Sequence, residues 1–445
     1  MINLNKRPIA FVIALVCIFA ITPYSAPANE AELASCRIKA SARENVSLGF
    51  PLRNGRLAAV KNPKIMVIPF RMKEKPNYVI SELDKEDYKN AAKDISDFSG
   101  GKASVEFIFA PILDTDYTKD TWITLKANQQ KSFQDKDESL STWGFVRALV
   151  AASDPKVDFS DIDAVILEGS PVNWGSFIGE AMMFRTDEPN GYARPITTDE
   201  AIINNAILLD QHYSRLTITH EVLHLFGLTD LYGTSTGPGK LSLMAGDSPA
   251  ILSYEKWILG WLPDSAVQCF PDVATNTITD IKIDPRQDSQ VIVLPGKADS
   301  HIIIETSRIE ESKYLALYTL NNETRPPITT FADNQGRSRD GLQINSYKAI
   351  GTIFDLPDFS LVVSDLNGTA MTLKLLPKQL RDTPTNATLI EEAARNLKNA
   401  EASSSVSPKK PIKNNTVTIT CLKGKIQKKV TAVKPVCPKG YKKKN

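Results

Sequence analysis

Apolar positions in the first half of the chain follow two alternating rhythms. Lys64–Phe70 (KIMVIPF) is a compact β-branched run and predicts a buried strand. Ile80–Ser99 carries apolar residues at helical spacing, with Gly100 and Gly101 to stop the helix. Lys102–Ile112 alternates and predicts a second strand. Ser141–Ser153 predicts a helix opened by a Ser-Thr cap, and Asp163–Gly169 a third buried strand. Thr198–Leu209 (TDEAIINNAILL) suits helix or strand equally. A further helix runs from about Ser214 to Phe226. Strands alternating with helices predict an α/β region. After Trp257–Pro263 the rhythm changes to strands and turns as far as Leu376, which predicts a β-rich, sandwich-like domain. Thr388–Pro411 reads as a short helix running into a Ser/Lys/Pro linker.

Length and charge refine this picture. The chain has 445 residues, more than one ordinary core holds, and composition is globular throughout most of it. Its net charge of +2 is uneven: Ala402–Asn445 holds twelve lysines and no acid, so an acidic body carries a basic tail. That tail suits an anionic cell envelope. The acidic body, with no aromatic-basic groove, argues against nucleic acid.

The first residues read as an export signal. Met1–Pro8 is a positive n-region, Ile9–Ile21 a short apolar stretch, and Ala26-Pro27-Ala28 a small-x-small cleavage site. The apolar stretch is short of the roughly 20 residues that span a bilayer. No later segment is apolar enough to cross a membrane, so a secreted or envelope-associated protein is expected. Removing the signal removes Cys17 and leaves Cys36, Cys269, Cys421 and Cys437, an even number that suggests two disulfides. Three pairings are open; Cys421 with Cys437 is the easiest to close. The expected organisation is a signal peptide over 1–28, an N-terminal segment 29–63, a catalytic domain 64–265, a β-rich domain 266–378, a helix and linker 379–412, and a basic, Cys-containing tail 413–445.

The candidate chemistry lies in Thr219–Tyr232, THEVLHLFGLTDLY. On a helix, residues four apart project about 40° from one another, so His220 and His224 can aim ring nitrogens at one ion. Glu221 is about 100° round from His220 and suits a water bound to that ion better than the ion itself. Two imidazoles binding zinc and a carboxylate taking a proton from the zinc water is a familiar division of labour. The plain alternative is an ordinary helix with two satisfied histidines. Gly227 can end the helix, after which Asp230 can approach as third ligand. The chain has only four histidines, and the other two, His212 and His301, are weaker choices for that place.

HEVLHLFGLTDLY, then LSLMAGD, then SYEKWILGWL together resemble the immune inhibitor A family of secreted metallopeptidases. The HExxHxxGxxD part also resembles snapalysin. The resemblance covers about Lys64–Pro263 well, the β-rich domain loosely and the tail not at all. It implies a metzincin-like α/β (α+β) catalytic domain and a zinc endopeptidase with metal ligands His220, His224 and Asp230 and catalytic Glu221. It also implies that Met244 forms an apolar floor under the histidines. Gly246 stands where such enzymes often carry a metal-proximal tyrosine; Tyr232 and Tyr254 are read as structural. One zinc ion is expected; calcium suits the acidic body, but no loop has calcium-ligand spacing. The expected partner is a protein or peptide substrate. The rival readings are a non-catalytic envelope-binding protein with a vestigial zinc site, a zinc hydrolase acting on another bond, and a carbohydrate binder.

Overall fold

A computed structural model describes residues 30–41, 45–135, 139, 141–171, 179–184, 194–233, 237–246, 248–271, 278–284, 287–296, 300–309, 312–331, 342–343, 352–356, 358–366, 371–378, 395, 417–423, 426–432 and 434–443. The expected signal peptide lies outside them, as does all of the expected helix and linker except Arg395. The chain forms two compact units, Met1–Ala274 with Pro285–Gln343, and Thr275–Asp284 with Ile344–Asn445.

In the first unit, β1 (Lys64–Arg71), β2 (Glu106–Phe109), β3 (Leu113–Asp114), β4 (Ala164–Gly169), β5 (Gly179–Met183) and β8 (Asn205–Leu209) form one sheet. Its order is β2-β1-β4-β8-β5, with β3 also on β1. The pairs are parallel except β5, which runs antiparallel along β8. A small ribbon, β6 (Ile196–Thr197) with β7 (Ile202–Ile203), precedes β8. The ambiguous Thr198–Leu209 stretch therefore holds two strands, β7 and β8, and no helix: periodicity alone could not separate helix from strand, and pairing with β6, β4 and β5 decides.

The sheet is covered on both faces, which explains its near-continuous apolar strands. The helices are α1 (Glu30–Cys36), α2 (Glu82–Ser99), α3 (Lys119–Asp135), α4 (Thr142–Ser153), α5 (Arg215–Phe226) and α6 (Ser253–Ile258). Ile65 and Val67 of β1 pack into a core with Tyr88 and Ile95 of α2 and Val222 and Leu223 of α5. Met66, Ile68 and Phe70 face the other way, with Trp122 of α3 and Phe145, Leu149 and Val150 of α4. Each such side chain contributes about 1.5–3 kcal/mol through burial. α2 opens on a capping box: Ser81 Oγ accepts from Asp84 N at 3.1 Å, and Asp84 accepts from Ser81 N at 2.8 Å. It closes on Gly100 at φ +61°.

A second sheet shares this core. It contains β9 (Val267–Cys269), β11 (Gln290–Pro295), β12 (Ser300–Ile309), β13 (Ser312–Asn321), β14 (Ile328–Thr330) and β15 (Leu342–Gln343); β10 (Thr279–Ile283) belongs to the second unit. Val291, Val293, Ile303 and Tyr318 bury against the same cluster as α5. A Cys36–Cys269 disulfide joins α1 to β9.

In the second unit, β10 pairs with β18 (Met371–Pro377), then come β17 (Phe359–Leu366) and β16 (Ile353–Asp355), all antiparallel. β19 (Val417–Lys423), β20 (Ile426–Ala432) and β21 (Lys442–Lys443) form a three-stranded antiparallel sheet with a Cys421–Cys437 disulfide. The architecture is a mixed α/β region followed by several antiparallel sheets. The strand-rich stretch 266–378 is divided between the two units.

One ion-pair cluster ties α2 to the loop that leads into α5. His212 Nε2 lies 3.2 Å from Asp87 and 3.7 Å from Asp84, and Nδ1 lies 3.5 Å from Glu168. Glu168, fully buried at the end of β4, also accepts from the hydroxyls of Tyr78 and Tyr88. Burial works to lower the His212 pKa, but the surrounding carboxylates outweigh it and raise it to about 9. An imidazole raised in this way stabilises the fold fully below its unfolded value of about 6.5. That contribution disappears as pH climbs through about 9. His212→Gln is therefore expected to lower the urea midpoint clearly at pH 6 and little at pH 10. An equal loss at both would contradict the charged pairing.

Candidate metal centre

α5 starts the site. Its residues Val222, Leu223, Leu225 and Phe226 are fully buried, so the helix is fixed in the core on most of its circumference. Gly227 ends it at φ +121°, and its N–H bonds back to the carbonyls of His224 and Leu223. A Cβ there would come within 2.9 Å of Leu52, so both the conformation and the space call for glycine. The reversal that follows brings Asp230 over the helix, and Leu231 N donates to Met244 O at 2.8 Å.

His220, His224 and Asp230 come together, with one ligand-type atom from each lying within 4.8 Å of the others. His220 Nε2 is 3.1 Å and His224 Nε2 3.2 Å from Asp230 Oδ1. The two rings stand nearly perpendicular, 4.8 Å apart. His220 Nδ1 donates to Leu243 O at 3.0 Å, and His224 Nδ1 donates to Leu228 O at 2.8 Å. A carbonyl can only accept, so both Nδ1 atoms carry hydrogen. In the neutral tautomer each Nε2 then presents a lone pair to a carboxylate oxygen. Three electron-pair donors this close repel unless protons or a cation lie among them, and the set N, N, O is one that zinc accepts. The residues present thus fit a divalent ion.

Protons on the Nε2 atoms are the other way to relieve that repulsion, and the local charges favour them. Burial opposes the Asp230 anion, but hydrogen bonds from His220 and His224 outweigh it and hold the carboxyl well below its usual range. Burial likewise opposes charge on His224, and the Asp230 contact raises its pKa to about 9. Glu221 is buried, and this raises its pKa against the lowering influence of His224 and His220.

His212 is committed to the α2 carboxylates. His301 is buried on β12 of the second sheet. Met244 is fully buried in the core that holds α5. Tyr254 is also core, edge-on to Phe50 and Trp257. Tyr232 is different: it is 55% exposed and stacks on the His220 ring at 6.0 Å. Its place two residues after Asp230 was the available signal, but a phenol there is equally compatible with packing.

Two supports of the site escaped sequence reasoning. The Leu243 and Leu228 carbonyls are backbone atoms with no residue-type signature. Among the described residues β5 is an edge strand of the sheet, and its GEAMM sequence carries no strand signal.

No family model matches the chain, and no curated protein matches it. Among solved structures it is similar to the crystal structure of metalloproteinase-II from Bacteroides fragilis, with 16% sequence identity and a TM-score of 0.27. The match covers 51% of this chain and 57% of that one, so the chain spans less than two thirds of that protein's length.

Proposed function

We propose that the protein is a secreted zinc-dependent endopeptidase in which His220, His224 and Asp230 hold the metal and Glu221 is the general base. The observation that carries this reading is the pair of Nδ1–H donations to backbone carbonyls, which turns both Nε2 atoms towards Asp230 with a buried carboxylic side chain, Glu221, one residue away. Zinc bound there supplies Lewis acidity for the scissile carbonyl and lowers the pKa of water towards about 7. Glu221 accepts a proton from the attacking water as the new C–O bond forms. It then delivers that proton to the amide nitrogen as the C–N bond breaks. A base held in a dry place and pushed up in pKa suits both halves of that task.

β5 gives the substrate a place to lie. Among the described residues it is one of the sheet's edge strands, and its first residue, Gly179, lies directly against Glu221: a Cβ there would come within 2.7 Å of Oε1. An extended peptide pairing along that edge would carry its backbone past the carboxylate. Two disulfides suit an oxidising compartment, and no described helix is long and apolar enough to cross a membrane. The basic module suits an anionic envelope polymer. Lys423, Lys428, Lys429, Lys434, Lys439, Lys442 and Lys443 are exposed around the disulfide-closed sheet, and the sequence from Ala402 onward has no acid to neutralise them.

Glu221→Gln is expected to lower casein hydrolysis about 10³-fold while one zinc per chain is retained. Hydrolysis that survives both this change and a chelator would end the peptidase reading. Gly179→Ala places a Cβ 2.7, 2.9 and 3.1 Å from Oε1, Cδ and Cγ of Glu221 and is expected to fold with that one side chain turned aside. It should lower kcat about 10- to 100-fold with KM little altered, because the base is moved. Replacing Lys428, Lys429, Lys442 and Lys443 together by Gln should release the protein from a phosphate-rich wall polymer at low salt. Peptide hydrolysis should stay as it was, and retention unchanged by the substitutions would remove the proposed partner.

A further inference from the structure

The turn that contains Met244 is held by a polar chain that begins far from the metal-ligand residues. Ser242, fully buried, makes two bonds with one hydroxyl: it accepts from Met244 N at 3.1 Å and donates to Glu255 Oε2 at 2.9 Å. The same Glu255 oxygen accepts from Leu252 N at 2.7 Å. Leu243 N donates to Ala250 O, so the turn is pinned from behind while its front carbonyl, Leu243 O, receives His220 Nδ1–H.

Glu255 lies on α6, and α6 is itself fixed by a second buried acid. Glu305 of β12 accepts from Ser253 N at 3.0 Å, Tyr254 N at 2.8 Å and the Tyr318 hydroxyl at 3.0 Å. Ser253 Oγ donates to Thr306 O beside it. Both glutamates are completely buried. Burial pushes Glu255 up to about 8 and Glu305 up to about 7, so a carboxyl at either place is energetically costly. An apolar residue would fill the volume more cheaply. What an apolar residue cannot do is accept several hydrogen bonds on one atom and so fix the turn in a single geometry.

We infer that Ser242 and Glu255 are positioning residues for the metal centre, acting through the Leu243 carbonyl on the orientation and tautomer of His220. Glu305 extends the chain to the second sheet, so residues some 80 positions beyond the helix help to aim its first histidine. The inference rests on reading His220, His224 and Asp230 as a metal centre.

The test is zinc affinity, measured on the full chain by competition with a chromophoric chelator. Ser242→Ala and Glu255→Ala are each expected to weaken zinc binding about 10- to 100-fold, as loss of a ligand's supporting hydrogen bond does. Glu255→Gln keeps an acceptor for Ser242 and Leu252 and should retain most of the affinity. Val150→Ala, in the separate core cluster under α3 and α4, destabilises the fold without touching this chain and should bind zinc as the parent does. Near-ultraviolet circular dichroism establishes that each variant is folded; if Glu255→Ala is not, Ser242→Ala decides alone. Parental affinity in a folded Ser242→Ala protein would overturn the inference, as would an equal loss in Val150→Ala. Absence of zinc binding by the parent itself would instead bring down the metal reading, and this inference with it.

Discussion

Two backbone carbonyls decide what the centre can do. Leu228 O and Leu243 O each take the Nδ1 hydrogen of one histidine, which turns both Nε2 atoms towards Asp230. If either carbonyl were missing, its imidazole could turn over or shift its proton to Nε2, and a ligand atom would become a donor. The two carbonyls come from different sources. Leu228 is supplied locally by the Gly227 reversal, as part of the same turn that delivers Asp230. Leu243 arrives from a separate segment and needs Ser242, Ala250 and Glu255 to hold it in place.

The burial of α5 is the second half of the same constraint. A helix whose Val222, Leu223, Leu225 and Phe226 are locked in the core cannot rotate to relieve repulsion between its ligand atoms. The strain of converging donors must therefore be met by protons or by a cation, and a divalent ion meets it with more charge in less space. The dry surroundings that fix the helix also raise the pKa of Glu221, which sits on the same helix one residue from His220. The convergence of the three donors and the raised pKa of Glu221 thus come from a single packing arrangement. The glycine at 179 completes it, because only a missing side chain on β5 leaves the carboxylate its place.

Much of this was legible in the sequence, and what was legible was local. His220, Glu221, His224, Gly227 and Asp230 lie within eleven consecutive residues, where helix period and a glycine stop are enough to bring side chains together. α2, β2, α4 and β4 fall within the runs that periodicity predicts, and β1 overruns its own by one residue, Arg71. β5 was not visible: GEAMM has neither alternation nor β-branched residues, and only its pairing with β8 makes it a strand. α1 and α3 also gave no usable signal; in α3 the buried residues include Trp122 and Leu125 among mostly polar neighbours. The Ser242–Glu255 contact spans thirteen residues and the Glu255–α6–Glu305 relay about fifty more, distances at which no sequence period operates.

The second sheet illustrates why a change of rhythm along a chain is weak grounds for dividing it. The strands after Pro263 differ in pattern from those before, yet β9, β11, β12 and β13 bury Val267, Val291, Ile303 and Tyr318 in the core that holds α5. The Cys36–Cys269 bond closes a separation of 233 residues and brings the start of the α/β region to the first strand of that sheet. Constraining so long a loop removes several kcal/mol of unfolded-chain entropy in the loop-closure picture. Such a staple works only if the segments it joins fold as one body. The buried Glu305, on β12, would be pointless as a cap for α6 if the sheet that carries it moved separately from the helix. For these strands the pattern change marks a change of layer within one core, and the His220–His224–Asp230 group is supported from both layers at once.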